Sequence, residues 1–181
     1  KDIKKIVAII GGMGPSAGLT LHQKLINNNE TAKKDQDHIP ILHTSFSSII
    51  TDRTDYIFGK DIQNPMIGAL KCISIIENSL IDSNKKEVIV GIPCNTFHTY
   101  PILNPFLFYL NNIPICNFKF SNMVDLTGKF IKKNYQNEKV GLFSTIGTNK
   151  SNLYLDEAKK NNFVLVCLNQ KINLKIDNII Y

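Results

Sequence analysis

Residues 5–10 read KIVAII, an apolar run behind a leading lysine, closed by Gly11-Gly12. A strand that is apolar on both faces has to be covered on both faces. That is the position of a central strand in a parallel sheet flanked by helices. The same pattern recurs along the chain. Pro15 suits the first turn of a helix, and Ala17, Leu21 and Leu25 follow at i, i+4 and i+8 to give it one apolar face. Ile39 to Ser45 reads as a second strand. Pro65 opens a helix with Met66, Leu70, Ile73 and Leu80 on one face, and Glu87 to Ile92 is a third strand. A helix over about Tyr100 to Asn111 leads to a short fourth strand, Ile113 to Cys116. The rhythm continues with a helix presenting Met123, Leu126 and Phe130, then a strand from Lys139 to Ser144 and a helix from Ser151 to Lys160. A buried strand, Phe163 to Leu168, and a helix marked by Ile172, Ile176 and Ile179 complete it. Strands alternating with helices imply parallel pairing through crossover connections. The expected fold is α/β, with two Rossmann-like parallel-sheet domains and a cleft between them. The first domain is expected over residues 1–118 and the second over 119–181, with the boundary near Phe118 to Asn122. Two convincing strands make a marginal sheet, so the second domain is expected to be partial.

An apolar fraction of 43% supports a real core. No apolar run approaches the ~18 residues of a membrane span, and the run behind Lys1 is too short for a signal peptide. The cytosol is the expected compartment, with no membrane partner. The net charge of +6 comes from scattered lysine pairs: Lys4-Lys5, Lys33-Lys34, Lys85-Lys86, Lys132-Lys133 and Lys159-Lys160. With no aromatic residues interleaved among them, they read as solvated surface, and no nucleic-acid partner is expected. Of 21 basic residues only Arg53 is an arginine, the side chain whose planar fork grips a carboxylate in a way lysine cannot copy. The four cysteines show no metal-ligand spacing. Cys72, Cys116 and Cys167 sit in apolar segments and read as core filler.

Ligands of parallel α/β sheets bind outside the carboxyl ends of the strands. After the first strand come Gly11 to Pro15, and after the second Ser45-Phe46-Ser47 and then Asp52-Arg53-Thr54. Pro93 to His98 follow the third, and Thr145-Ile146-Gly147-Thr148 follow Ser144. Gly12, Gly14 and Ala17 fit a dinucleotide G-x-G-x-x-G/A pattern. However, Thr44 and Ser45 stand where the second strand should end in an acid, and Asp35 and Asp37 lie before that strand. The turn reads better as a backbone cradle for a carboxylate. Cys94 is the cysteine in polar company. It lies just past a buried strand beside Asn95 and Thr96, with a helix expected within a few residues, a setting that favours thiolate. His98 reads as a packing or capping residue.

Strand-IIGGMGP, DRT, strand-IPCNTFH and strand-STIGT, in this order, resemble the aspartate/glutamate racemases, most closely the aspartate racemase branch. The likeness extends from about Lys4 to about Tyr181. It implies two similar α/β domains with the active site between them. It also implies chemistry without pyridoxal phosphate or metal, in which two cysteines face each other across the substrate α-carbon. By that resemblance Cys94 is the first of the two bases, and Asn95 and Thr96 bind substrate beside it. Arg53 clamps a substrate carboxylate, Met13 forms a pocket wall, and Thr145 and Thr148 donate to the other end of the substrate. The family's Gly-Cys-Thr-Glu element, which carries the second cysteine, has no counterpart among these residues. The expected function is therefore a cofactor-independent racemase of aspartate or glutamate, a homodimer by resemblance, with a small amino acid or dicarboxylate as ligand. The alternatives are a one-cysteine isomerase or lyase of related acids, and a non-catalytic dicarboxylate binder.

Overall fold

The computed structural model of the chain describes residues 5–61, 63–80, 87–114, 116–135 and 137–180. Four parallel strands form one sheet in the order β2-β1-β3-β4: β1 (Lys5–Gly11), β2 (Ile41–Ser45), β3 (Glu87–Gly91) and β4 (Asn117–Ser121). As its apolar run requires, β1 is interior, and Ala8, Ile9 and Ile10 are 0% exposed. The connecting helices are α1 (Pro15–Asn27), α2 (Arg53–Ile57), α3 (Met66–Asn78) and α4 (Tyr100–Asn111). α3 buries Ala69, Cys72, Ile73 and Ile76, and α4 buries Ile102, Leu103, Phe106 and Leu110. Phe97 stands edge-on to Phe106 at 5.3 Å between ring centres. Each large side chain sealed in this core contributes roughly 1.5–3 kcal/mol. α4 tolerates Pro105 in its interior. Proline has no N–H to offer the Pro101 carbonyl one turn back, and the Asn64 side chain donates to that oxygen instead, at 3.0 Å.

The remainder of the chain comprises α5 (Met123–Asn134), β5 (Lys139–Leu142), α6 (Ile146–Lys150), α7 (Leu153–Asn161), β6 (Val164–Cys167) and α8 (Gln170–Ile180). β5 and β6 pair in parallel as a two-stranded sheet. Val124, Leu153 and Tyr154 pack with Leu142 and Leu165, and Ile131, Ala158 and Phe163 pack with Val140 and Leu165. No described helix is long and apolar enough to cross a membrane.

Four expectations are corrected. The fourth strand is Asn117–Ser121; of the expected Ile113 to Cys116, Ile113, Pro114 and Cys116 are not in a strand and Ile115 lies outside the described residues. Its NFKFS alternation buries Phe118 and exposes Lys119, as suits an edge strand that is covered on one face only. Met123, Leu126 and Phe130 are not the packed stripe of α5, because Leu126 and Phe130 are exposed. The buried face is Val124, Gly128 and Ile131, where Gly128 lets α7 approach closely. The strand at 163–168 is not buried on both faces. α5 and α7 cover one side of the two-stranded sheet, leaving Val164 and Val166 exposed. Cys167 is accordingly exposed, not core filler, whereas Cys72 and Cys116 are buried and all four thiols are free. Of the lysine pairs, Lys33-Lys34, Lys132-Lys133 and Lys159-Lys160 are exposed, while Lys4 and Lys85-Lys86 lie outside the described residues.

Candidate active site

Parallel pairing brings the carboxyl ends of the strands to one edge, with Gly11 opposite Ser45 and Gly91 opposite Ser121. The loop after β1 turns at Gly12, whose φ is +90° and whose Cβ, were there one, would lie 3.0 Å from the Ser47 nitrogen. Only glycine combines that dihedral with that approach. The turn leaves Met13 buried and hands the chain to Pro15 at the start of α1. After β2, Asp52 accepts from the Asp55 N–H at 2.8 Å, which caps α2 and makes Arg53 its first residue. Arg53 therefore begins a helix instead of lying in a long loop. One Nη1–H of Arg53 donates to the Thr51 carbonyl at 3.4 Å, while its Nε is buried without a partner among the described residues.

After β3, Cys94 is buried in a tight turn in which its N–H donates to the Ile92 carbonyl at 2.9 Å. The helix expected directly behind the thiol is a short 3-10 turn, Thr96–His98, and α4 starts only at Tyr100. The turn is held from below. Nδ1 of the buried His98 donates to the Cys94 carbonyl at 2.8 Å, and its ring lies 5.5 Å from that of Phe120. Burial holds this imidazole below its ordinary pKa, outweighing the upward pull of the carbonyl. His98 is thus a packing residue that touches the thiol's own backbone.

Several side chains tie this loop to the turn after β5. The Thr96 hydroxyl lies 2.8 Å from that of Thr148 and 3.2 Å from that of Thr145, and Thr145 and Thr148 are 3.2 Å apart. Each hydroxyl has one proton and two lone pairs, so three of them close a ring in which each donates once. Thr145 also caps α6 by accepting from the Thr148 N–H. Gly147 makes the approach possible, since a Cβ there would lie 2.7 Å from Thr54 Oγ1 and 3.1 Å from Thr96 Cγ2. Nearby, the Tyr154 phenol donates to Asn95 Oδ1 at 2.6 Å. Burial pushes the Tyr154 pKa up, against an opposing contact with the Thr127 hydroxyl. Tyr154 escaped the sequence reading. It sits in the middle of an ordinary amphipathic helix, and no motif marks it.

Met13, Arg53, Cys94, Asn95, Thr96, Thr145 and Thr148, the residues singled out from sequence, all line one cleft of about 320 Å³, together with Gly14, Pro93, Phe143 and Ser144. No carboxylate is among the described residues lining it, so Arg53 leaves it net positive. A thiol, a guanidinium and neutral donors around a small cleft suit proton chemistry on a compact anion. Larger cavities of about 410 and 570 Å³ lie around α2, α6 and α8, lined by residues such as Phe58, Ile146 and Leu174, with no thiol or arginine among their described lining residues. Among the described residues no group of three or more His, Cys, Asp or Glu is placed to hold a metal ion.

No protein-family model matches the chain. Among solved structures, the aspartate racemase of Picrophilus torridus is similar at 30% identity with a TM-score of 0.72, over 94% of this chain and 65% of that one. An aspartate racemase homologue from Pyrococcus horikoshii OT3 aligns at 16% identity and a TM-score of 0.66, over 97% of this chain and 69% of its own. Glutamate racemase from Aquifex pyrophilus aligns at 20% identity and a TM-score of 0.54, over 90% and 54%. The last two establish likeness of fold. The chain spans slightly less than two thirds of the Picrophilus protein's length.

Proposed function

We propose, from the premise that this chain is a member of the aspartate/glutamate racemase family, that its cleft takes an acidic amino acid, aspartate or a close relative, and moves the proton on the α-carbon. The observation that carries this reading is the convergence of Cys94, Arg53 and Asn95 on one small cleft with no lining carboxylate among the described residues, where the Arg53 Nε is buried and unpartnered. A guanidinium pairs with a carboxylate through a planar fork, and a ligand carboxylate would meet the one cation among the described residues lining the cleft.

In the proposed step the Cys94 thiolate takes the α-proton. The Cα–H bond breaks, an S–H bond forms, and the electron pair moves into the α-carboxylate as an enediolate. That charge is stabilised only by donors already in place, and the Asn95 carboxamide and Arg53 supply them without a competing base. Inversion is complete when a proton is delivered to the opposite face by solvent or by an acid other than Cys94. Pyridoxal phosphate and metal have no part in the proposed step.

A second reading rests on a specific observation. Among the described residues, Cys94 is the one thiol lining the cleft. A single base exchanges the α-proton with solvent on one face without inverting the centre, as in a one-cysteine isomerase or lyase. The test is proton NMR of L- and D-aspartate incubated separately with the protein in D2O, with chiral analysis of each sample. Loss of the α-proton signal together with the opposite enantiomer supports the racemase, and exchange without inversion supports the one-base reading. No exchange with aspartate or glutamate removes both. Cys94→Ala is expected to abolish exchange, and exchange that survived it would remove Cys94 from its role.

A further inference from the structure

We propose that Tyr154 is a positioning residue that sets which end of the Asn95 carboxamide faces the ligand. The inference rests on the reading of the cleft as an acidic amino-acid site and adds a residue to it. An asparagine side chain offers an acceptor at one end and a double donor at the other, and the two ends are nearly the same shape. Left free, it can present either. Here the Tyr154 hydroxyl donates to Oδ1 at 2.6 Å. Oδ1 is thereby taken, and Nδ2, which has no partner among the described residues, is left as the group Asn95 presents as it lines the cleft. A donor attracts a carboxylate, whereas an acceptor in its place would repel one.

Tyr154 is suited to the task. It is 9% exposed and packed with Val124 and Leu153, so its ring is fixed by α5 and α7. Its burial disfavours the phenolate, which keeps the group an O–H donor. It does not line the cleft and takes no proton from the substrate. Its effect passes entirely through Asn95. A phenylalanine would keep the ring packing while freeing the carboxamide to turn.

The test is a double-mutant cycle with a binding readout alongside. Tyr154→Phe is expected to lower kcat/KM for the acidic amino acid about tenfold, the scale of one well-made hydrogen bond. Asn95→Ala should lower it further, and Tyr154→Phe added to Asn95→Ala should cost nothing more. A loss that multiplies in the double variant would show that Tyr154 acts through general structure, and would overturn the proposal. Independently of turnover, the Asn95 side-chain amide protons, assigned by their absence in Asn95→Ala, are followed by 15N NMR in the unmodified protein while succinate is added. They are expected to shift on binding. Succinate that binds without moving them overturns the proposal, even if Tyr154→Phe fails to fold. Wild-type protein that neither binds succinate nor turns over aspartate or glutamate removes the acidic-ligand reading. In that case Asn95 amide resonances that stay unmoved in Tyr154→Phe would separately overturn the positioning role.

Discussion

Gly147→Ala tests how tightly the two halves of the site are pressed together. In a helix, replacing glycine by alanine normally stabilises by about 0.5–1 kcal/mol, because the unfolded chain loses freedom. At Gly147 the added methyl would meet Thr54 Oγ1 at 2.7 Å, Thr96 Cγ2 at 3.1 Å and Thr54 Cα at 3.2 Å. Carbon pairs rest at roughly 3.5–4.0 Å, so α6 has to withdraw by about half an ångström. Overpacking of this kind costs about 1–3 kcal/mol. The net effect is a loss of about 1 kcal/mol, or roughly 2–4 °C in Tm for a chain of this size. The same withdrawal stretches the 3.2 Å contact of Thr96 with Thr145 past hydrogen-bonding range. Urea denaturation of Gly147→Ala beside Gly141→Ala is the assay, because a methyl at Gly141 meets only Phe143 Cε2 at 3.7 Å. The midpoint should fall for Gly147→Ala with an unchanged slope, and it should hold or rise for Gly141→Ala. A Gly147→Ala protein as stable as the wild type would refute the close-approach reasoning.

Two further outcomes follow from single side chains. His98 and His43 are both held below the ordinary imidazole pKa of 6.5, each chiefly by burial and His43 also by the neighbouring His22. Below pH 6.5 the unfolded chain then binds more protons than the folded one, so their contribution to stability is present at neutral pH and is lost as the pH falls through the histidine range. Tm should drop between pH 7.5 and 5.5, and the His43→Asn, His98→Asn double variant should flatten that slope; a flat wild-type profile counts against the assignment. Arg53→Lys should raise KM for an acidic amino acid about 10–100-fold, the loss of a forked charge-assisted contact. It should leave the stability of the empty protein unchanged or improved, since it removes a buried unpartnered Nε. An unchanged KM would exclude Arg53 as the carboxylate clamp.

The sequence made the interior of the sheet legible and its margins illegible. β1 and β3 are apolar enough that only burial explains them. β4 alternates, so its neighbour Ile113 to Cys116 looked more like a strand than it did. In α5 two overlapping stripes at helical spacing were available. What selects Val124, Gly128 and Ile131 is the proximity of Glu157 and Asn161 to Gly128, a contact between distant residues that no local pattern records. Val164 and Val166 have the composition of buried residues, but only one face of a two-stranded sheet is covered. The site was legible because strand-end loops concentrate polar residues whatever the rest of the chain does. Its internal wiring was not. The bond from Tyr154 to Asn95 and the ring of three threonine hydroxyls join residues far apart in sequence, and each of those side chains is common in helices and loops.

The hydroxyl ring is a fastening as well as part of the pocket, and the Tyr154 contact fastens beside it. They attach the loop that carries the thiol to the turn after β5 and to α7. Separating the two sides would break these contacts one beside another, so cohesion at this point is lost in a single event. Substitutions at Thr96, Thr145 and Thr148 should each lower resistance to unfolding, and their effects should not add, because the three hydroxyls share one ring.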